Sequence, residues 1–82
     1  MSTSYKLLQK MRNNPRDWRI EQLEVIARHY GITVRKTGGG SHVIFNHRNW
    51  VELLSVPSRR PIKAVYIKKF ISLIDLLENS DE

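Results

Sequence analysis

Apolar residues recur at three- and four-residue steps in two stretches near the start of the chain, which is the spacing of helices with one buried face. The first stretch runs from Tyr5 to Asn13 and ends before Pro15, because proline lacks a backbone N–H and restricts the residue before it. The second runs from Trp18 to Tyr30. Asp17 is its predicted N-cap, and Gly31 stands where the end of a helix favours a left-handed residue.

The middle of the chain changes to β-branched and aromatic residues separated by turn-forming residues, which predicts strands. Three consecutive glycines interrupt this region as a flexible or tightly turned connection. Asn46-His47-Arg48-Asn49 has the residue types of a hairpin turn, and Pro57 ends the region. The three predicted strands are Ile32–Lys36, Ser41–Phe45 and Trp50–Val56.

A third helical pattern closes the chain. Pro61 fits its first turn, where the missing N–H of proline costs nothing. Apolar residues then recur at helical spacing from Ile67 to Leu77, as in a helix packed on a sheet. The order predicts an α+β fold in which a three-stranded antiparallel sheet carries two helices on one face. Residues 1–16 are a predicted helical extension, 17–79 the domain proper, and 80–82 a tail expected to fray.

Size and composition exclude several kinds of protein. A chain of 82 residues forms a single domain with a thin core, so a shallow surface site is more natural than an enclosed one. Without cysteine, the chain has neither a disulfide nor a cysteine-ligated metal. Met1 to Lys10 lack the apolar core of a signal peptide, and Phe70 to Leu77 is too short to cross a bilayer, which predicts a cytoplasmic protein.

The charge of the chain is basic and unevenly distributed. Fourteen Lys and Arg residues oppose eight Asp and Glu residues, for a net charge of +6. Eight of the bases but only one acid, Glu52, lie between residues 35 and 69, whereas the chain from Asp75 onward is acidic. Such a local excess is typical of a surface that binds a polyanion, although a solvated cationic face without a partner has the same composition. A membrane surface fits less well, since no basic stretch also carries a broad apolar face.

Of the three histidines, His42 has surroundings that suit phosphodiester chemistry. It follows Gly-Gly-Gly-Ser at the start of a predicted strand, and Arg35 and Lys36 lie on the preceding one. In metal-free RNA cleavage the 2′-OH needs a base, the leaving oxygen needs an acid, and the phosphorane needs cationic or N–H partners. A structural role in the strand is the alternative for His42. His29, near a helix C-terminus, and His47, in the predicted turn, are interpreted as structural or simply exposed.

Other motifs give weaker indications of function. The triple glycine lacks the Gly-Lys-Ser/Thr of a phosphate-binding P-loop, and no HExxH or other dense metal-ligand cluster occurs, so neither a metal nor a cofactor is expected. Trp50 is interpreted as a core or hairpin residue rather than a base-stacking platform, and Trp18 as packing against the second helix. The stripe from Ile67 to Leu77 is interpreted as core rather than as a groove for a partner.

The segment Gly40-Ser41-His42-Val43-Ile44-Phe45 resembles the Gly-Ser-His-x-x-Phe strand of the HicA toxins, the YcfA-like group. The likeness extends over roughly residues 19–78. Arg19 to Gly31 is similar to the first helix of that family with its closing glycine. Leu54-Ser55-Val56-Pro57 resembles the family's strand ending in Val-Pro, and Pro61 to Leu77 resembles its C-terminal helix.

The resemblance implies a fold like that of double-stranded RNA-binding domains, with α-β-β-β-α order. It also implies the toxin of a type II toxin-antitoxin system, an mRNA-cleaving endoribonuclease that blocks translation and uses His42 as its catalytic histidine. A cognate HicB antitoxin that covers this histidine is implied as the partner. The chain departs from the family pattern at Val43, where a histidine or basic residue is often found, and at Ser58 to Lys63, which lacks the usual glycines.

The leading hypothesis is a metal-independent endoribonuclease, monomeric on its own, with His42 as general acid or base. Ser41 and the backbone near Gly40 are expected to contact the scissile phosphate, and the side chains expected to hold the RNA backbone are Arg35, Lys36, Arg59, Arg60 and Lys63. A non-catalytic RNA-binding module that uses the same basic face is the alternative. A DNA-binding partner in a regulatory complex ranks last, because no stretch predicts a helix-turn-helix recognition helix. The pattern leaves open which face of the second strand His42 occupies.

Overall fold

The computed structural model of the chain describes residues 3–79, and the predicted tail at 80–82 lies outside the described residues. The described part contains three helices and one antiparallel sheet with the strand order β1-β2-β3, which confirms the predicted α+β class. The helices are α1 (Thr3–Asn13), α2 (Ile20–His29) and α3 (Ala64–Asn79). The strands are β1 (Thr33–Thr37), β2 (His42–Asn46) and β3 (Leu54–Pro57).

One face of the sheet is buried under the helices. In β2, Val43 and Phe45 are buried while His42 is exposed, the alternation expected of a strand with one face in the core. Helix α2 contacts β1, and α3 contacts β3. The ring of Phe45 meets that of Phe70 on α3 edge to face, with ring centroids 5.3 Å apart. This aromatic pair therefore joins the central strand to the last helix.

Helix α1 packs into the same core. Leu8 and Met11 are fully buried, and α1 contacts both α2 and α3. Arg12 pairs with Asp75 of α3, and the hydrogen bonds of this pair lower the pKa of the Asp75 carboxyl and raise that of the Arg12 guanidinium. The segment that the sequence separates as an N-terminal extension thus contributes Leu8 and Met11 to the hydrophobic core of the domain.

The start of α2 differs from the prediction. Asp17 is not its N-cap, because the backbone of Asp17 has the left-handed φ of 65° and the helix begins three residues later, at Ile20. The capping position belongs to Arg19, whose backbone N–H donates to Oε1 of Gln22 at 2.9 Å. A glutamine at this third position of a helix satisfies an amide that the helix itself leaves free. The predicted Gly31 is confirmed as left-handed, with φ of 73°.

The third strand is shorter than predicted, since β3 begins at Leu54 rather than at Trp50. The chain from 47 to 53 forms a loop instead. The backbone N–H of Trp50 donates to the carbonyl of His47 at 2.9 Å, and this turn directs the Trp50 side chain into the core. Val51, the next residue, is fully exposed. Burial of the Trp50 ring therefore outweighs the preference of these residue types for an extended backbone.

Helix α3 begins at Ala64, three residues after Pro61, so Pro61 does not lie in its first turn as predicted. The backbone N–H of the buried Ile62 donates to the carbonyl of Trp18 at 2.9 Å, and the two residues form an isolated antiparallel bridge. This pairing keeps the chain extended on both sides, which also explains why Trp18 is not helical. The segment from 58 to 63 therefore connects β3 to α3 along one end of the sheet.

Candidate functional site

His42 lies at the end of the sheet where β2 begins. It pairs across the sheet with Thr37 on β1 and with Pro57 on β3. Because Val43 points into the core, the His42 side chain points away from the core, where it is exposed. The structure thereby settles the strand face that the sequence pattern leaves open.

A cavity of about 440 Å³ opens at this end of the sheet. Its walls come from the start of β2, the end of β3, the segment after β3 and the first turn of α3. It is lined by Ser41, His42, Pro57, Ser58, Arg59, Pro61, Lys63 and Tyr66. Four of the residues that the sequence singles out, namely Ser41, His42, Arg59 and Lys63, therefore line one cavity.

The three glycines before His42 form a tight turn. Gly38, Gly39 and Gly40 all have positive φ, at 57°, 69° and 94°, a conformation that glycine adopts without steric cost. At Gly38 an added Cβ would also lie only 2.7 Å from Oγ of Ser41. Of the two connections that the sequence allows, the tightly turned one is found, and it delivers Ser41 and His42 to the cavity.

Ser58 fastens this turn to the segment that follows β3. Its backbone N–H donates to the carbonyl of Ser41 at 2.9 Å, and its hydroxyl donates to the carbonyl of Gly40 at 2.6 Å. The two bonds fix the position of His42 relative to Arg59, the next residue along the chain. Sequence reasoning assigns no role to Ser58. Gly40, which is expected to contact RNA, is not among the residues that line the cavity; its carbonyl accepts the hydrogen bond from Ser58.

The His42 ring is oriented by its neighbour in the chain. Nδ1 lies 3.2 Å from Oγ of Ser41, within hydrogen-bond distance. A serine hydroxyl both donates and accepts, so it can pair with either neutral tautomer of the imidazole. When Nδ1–H donates to Ser41, Nε2 is left as a proton acceptor. Across residues 3–79 no protein group is hydrogen-bonded to Nε2, which leaves it available to a substrate.

The cavity carries positive charge without a matching acid. Arg59 and Lys63 line it, and no Asp or Glu does. Among the described residues neither cation has a carboxylate within 4.0 Å. Lys63 directly precedes α3 and Tyr66 lies in its first turn, so the positive end of the helix dipole adds to this potential. The site is suited to hold a phosphate group.

The remaining basic residues of the prediction lie elsewhere. Arg60 points away from the cavity, and its guanidinium is 3.4 Å from the carboxylate of Glu21. The pKa of the Glu21 carboxyl is lowered first by a hydrogen bond from its own backbone N–H and then by Arg60. Lys36 pairs with Val43 in the register and so belongs to the opposite side of the sheet from His42. Arg35 shares the face of His42 but lines a separate hollow of about 140 Å³.

Tyr66 is a site residue that sequence reasoning misses. Its ring is half-buried, packs against the core and forms part of the cavity wall. The signal that could have identified it is its spacing from Lys63, because residues three apart on a helix lie on the same face. Pro57 and Pro61 are also part of the wall, and together with Tyr66 they supply its apolar surface.

Two other kinds of site are absent from the described residues. Between residues 3 and 79 no three His, Cys, Asp or Glu side chains are grouped as a metal site. None of the helices described is long and apolar enough to cross a membrane. Comparison of the chain with protein-family models, curated proteins and solved structures found no match.

Proposed function

We propose that this protein is a HicA-type toxin, a metal-independent endoribonuclease of the cytoplasm that cleaves mRNA and is neutralised by a HicB-type antitoxin. The observation that carries the proposal is the placement of an exposed histidine in a cavity with two cations that no carboxylate neutralises. The resemblance of residues 40–45 to the Gly-Ser-His-x-x-Phe strand is the reason for proposing this family. The order of the last five elements, α2-β1-β2-β3-α3, is compatible with the fold of double-stranded RNA-binding domains that this resemblance implies.

In the proposed reaction the 2′-oxygen of a ribose attacks the adjacent phosphorus, and the bond from phosphorus to the 5′-oxygen of the next nucleotide breaks. The products are a 2′,3′-cyclic phosphate and a 5′-hydroxyl. Nε2 of His42 takes the proton from the 2′-OH, and the imidazolium so formed donates a proton to the leaving 5′-oxygen. Protons therefore balance within the site. Proton transfer by one positioned side chain contributes about 10²–10⁴-fold in rate.

The cations of the cavity act on the charge that develops at phosphorus. The phosphorane carries more negative charge than the phosphodiester, so positive groups already in place stabilise it more than they stabilise the ground state. Arg59 and Lys63 are in that position, on the segment that Ser58 ties to the glycine turn. Ser41 keeps the imidazole oriented while the charge forms.

The identity of the nucleophile can be tested with a pair of oligonucleotides of the same sequence, one of RNA and one of DNA. We expect the purified protein to cut the RNA and to bind the DNA without cutting it, because only RNA carries the attacking 2′-OH. Mass spectrometry of the products should find 2′,3′-cyclic phosphate ends, and cleavage should continue in excess EDTA. Cutting of both oligonucleotides, or 3′-hydroxyl ends, would show that another mechanism operates.

The role of the two cations can be tested through the salt dependence of binding to that uncut oligodeoxynucleotide. Each phosphate contact to a single strand contributes about 0.7 to the slope of log K against log salt. We expect Arg59→Ala and Lys63→Ala each to reduce this slope by about 0.7, measured by fluorescence anisotropy. Arg60→Ala is the matched control, since Arg60 is adjacent in sequence but pairs with Glu21. An equal loss of slope in all three variants would mean that no defined phosphate site exists.

A further inference from the structure

The cavity is lined by two kinds of group. Ser41, His42, Arg59 and Lys63 are polar or charged, whereas Pro57, Pro61 and the ring of Tyr66 are apolar. A site for inorganic phosphate alone needs no apolar wall of this size. A volume of about 440 Å³ lies within the range of small-molecule sites. The presence of two cations and an aromatic ring in one cavity matches a nucleotide, which has both a charged phosphate and a flat base.

The Tyr66 ring lies between the core and the cavity. It is half-buried, packs against the hydrophobic core and lines the cavity. Among residues 3–79 no hydrogen bond to the Tyr66 hydroxyl is present, so this end of the side chain is not committed to a structural contact. Lys63 lies three residues earlier, directly before the same helix, and lines the same cavity.

We propose that this cavity binds one unstacked nucleotide of a single strand, with its base against the ring of Tyr66 and its phosphate on Arg59 and Lys63. The base in a duplex is covered on both faces by its neighbours, so only a single-stranded or splayed-out nucleotide can enter. The inference rests on the proposed function for the assignment of the ligand as RNA. It adds that the substrate is a single-stranded segment. It also adds that Tyr66 recognises the flat face of the base and does not distinguish one base from another by its edge.

The test compares two ligands that differ only in their bases. One is a short oligodeoxyadenylate, and the other is a tetrahydrofuran oligomer with the same number of phosphates and no bases. Neither ligand has a 2′-OH, so binding is measured without cleavage. We expect the wild-type protein to bind the oligodeoxyadenylate about 5- to 150-fold more tightly, the range for one base stacked on an aromatic ring.

Three variants separate stacking from other roles of the ring. Tyr66→Leu should lose the preference, falling to the affinity of the base-free oligomer, whereas Tyr66→Phe should keep it because the aromatic face remains. Lys63→Ala should weaken both ligands by the same factor, since it removes a phosphate contact. In the wild type, NMR resonances of the Tyr66 ring should shift with the oligodeoxyadenylate and not with the base-free oligomer, which tests the inference even if Tyr66→Leu does not fold.

Equal affinity of the wild type for the two ligands, or an equal loss for both in Tyr66→Leu, would overturn the inference. Cleavage of RNA together with equal affinities would leave the nuclease proposal standing and this inference rejected. A preference for bases that depends on Tyr66, in a protein that does not cleave RNA, would support this inference and reject the nuclease proposal. Absence of binding to both ligands would contradict both proposals.

Discussion

Replacement of His42 by alanine is expected to lower the rate of RNA cleavage by about 10²–10⁴-fold, while binding to a single-stranded oligodeoxynucleotide changes little. Histidine is the side chain that most often serves as general acid or base, and His42 is the one histidine that lines the cavity. Its removal leaves the charges of Arg59 and Lys63 in place. Binding therefore persists when the proton transfer is lost. Cleavage is measured on a labelled oligoribonucleotide, with enzyme in excess so that the chemical step is observed.

His47→Ala is the matched control for this substitution. His47 lies in the loop after β2, where its Nδ1 accepts a hydrogen bond from the backbone N–H of Asn49 at 3.0 Å, and it is not part of the cavity wall. Its loss should leave cleavage at the wild-type rate. In cells, induction of the wild type and of His47→Ala should arrest growth and degrade mRNA. Induction of His42→Ala to an equal level should do neither.

The results of these assays distinguish the endoribonuclease from the non-catalytic RNA-binding module. If wild type and His42→Ala cleave RNA equally, His42 is not the catalytic group. If neither cleaves RNA but both bind it with the same salt dependence, the protein is a non-catalytic RNA-binding module that uses the same cavity. Cleavage by the wild type that His42→Ala abolishes, with binding retained, would support the endoribonuclease.

The number and order of the helices and strands follow from the chain's own pattern, and so does the position of His42 at the start of β2. The face of β2 that carries His42 does not, because Val43, Ile44 and Phe45 are all apolar and give no alternation. Strand pairing settles the question. Val43 lies opposite Val56 of β3, and both are buried under the helices. A register is a relation between strands distant in sequence, so a single strand seldom shows it.

The basic residues illustrate the same limit. Arg59 and Arg60 are adjacent and chemically identical, yet one lines the cavity and the other pairs with Glu21 on α2. Arg35 and Lys36 are also adjacent, and they belong to opposite faces of the sheet. Local charge density indicated an anion-binding surface but not which side chains reach it. Which side chains line the cavity depends on the direction in which each one points. Consecutive residues of an extended chain point in opposite directions.

Replacement of Phe45 by alanine is expected to lower the free energy of unfolding by about 3–5 kcal/mol, because it leaves a large cavity in a thin core. Phe45 is fully buried, and its ring contacts that of Phe70. Val51→Ala is the control, since Val51 is fully exposed and its change should fall within about 0.5 kcal/mol. Urea unfolding followed by circular dichroism measures both values. A loss for Phe45→Ala as small as that for Val51→Ala would show that the two layers are not packed as described.

The same substitution connects the core to the site. Phe45 and His42 are three residues apart on β2, and Phe70 follows Tyr66 by about one turn of α3. The contact between the two rings joins the strand that carries His42 to the helix that carries Tyr66. We expect Phe45→Ala, assayed at a temperature where it remains folded, to cleave RNA more slowly than the wild type. Unchanged cleavage by the folded variant would mean that Ser58, through its bonds to Gly40 and Ser41, holds the cavity together without this contact.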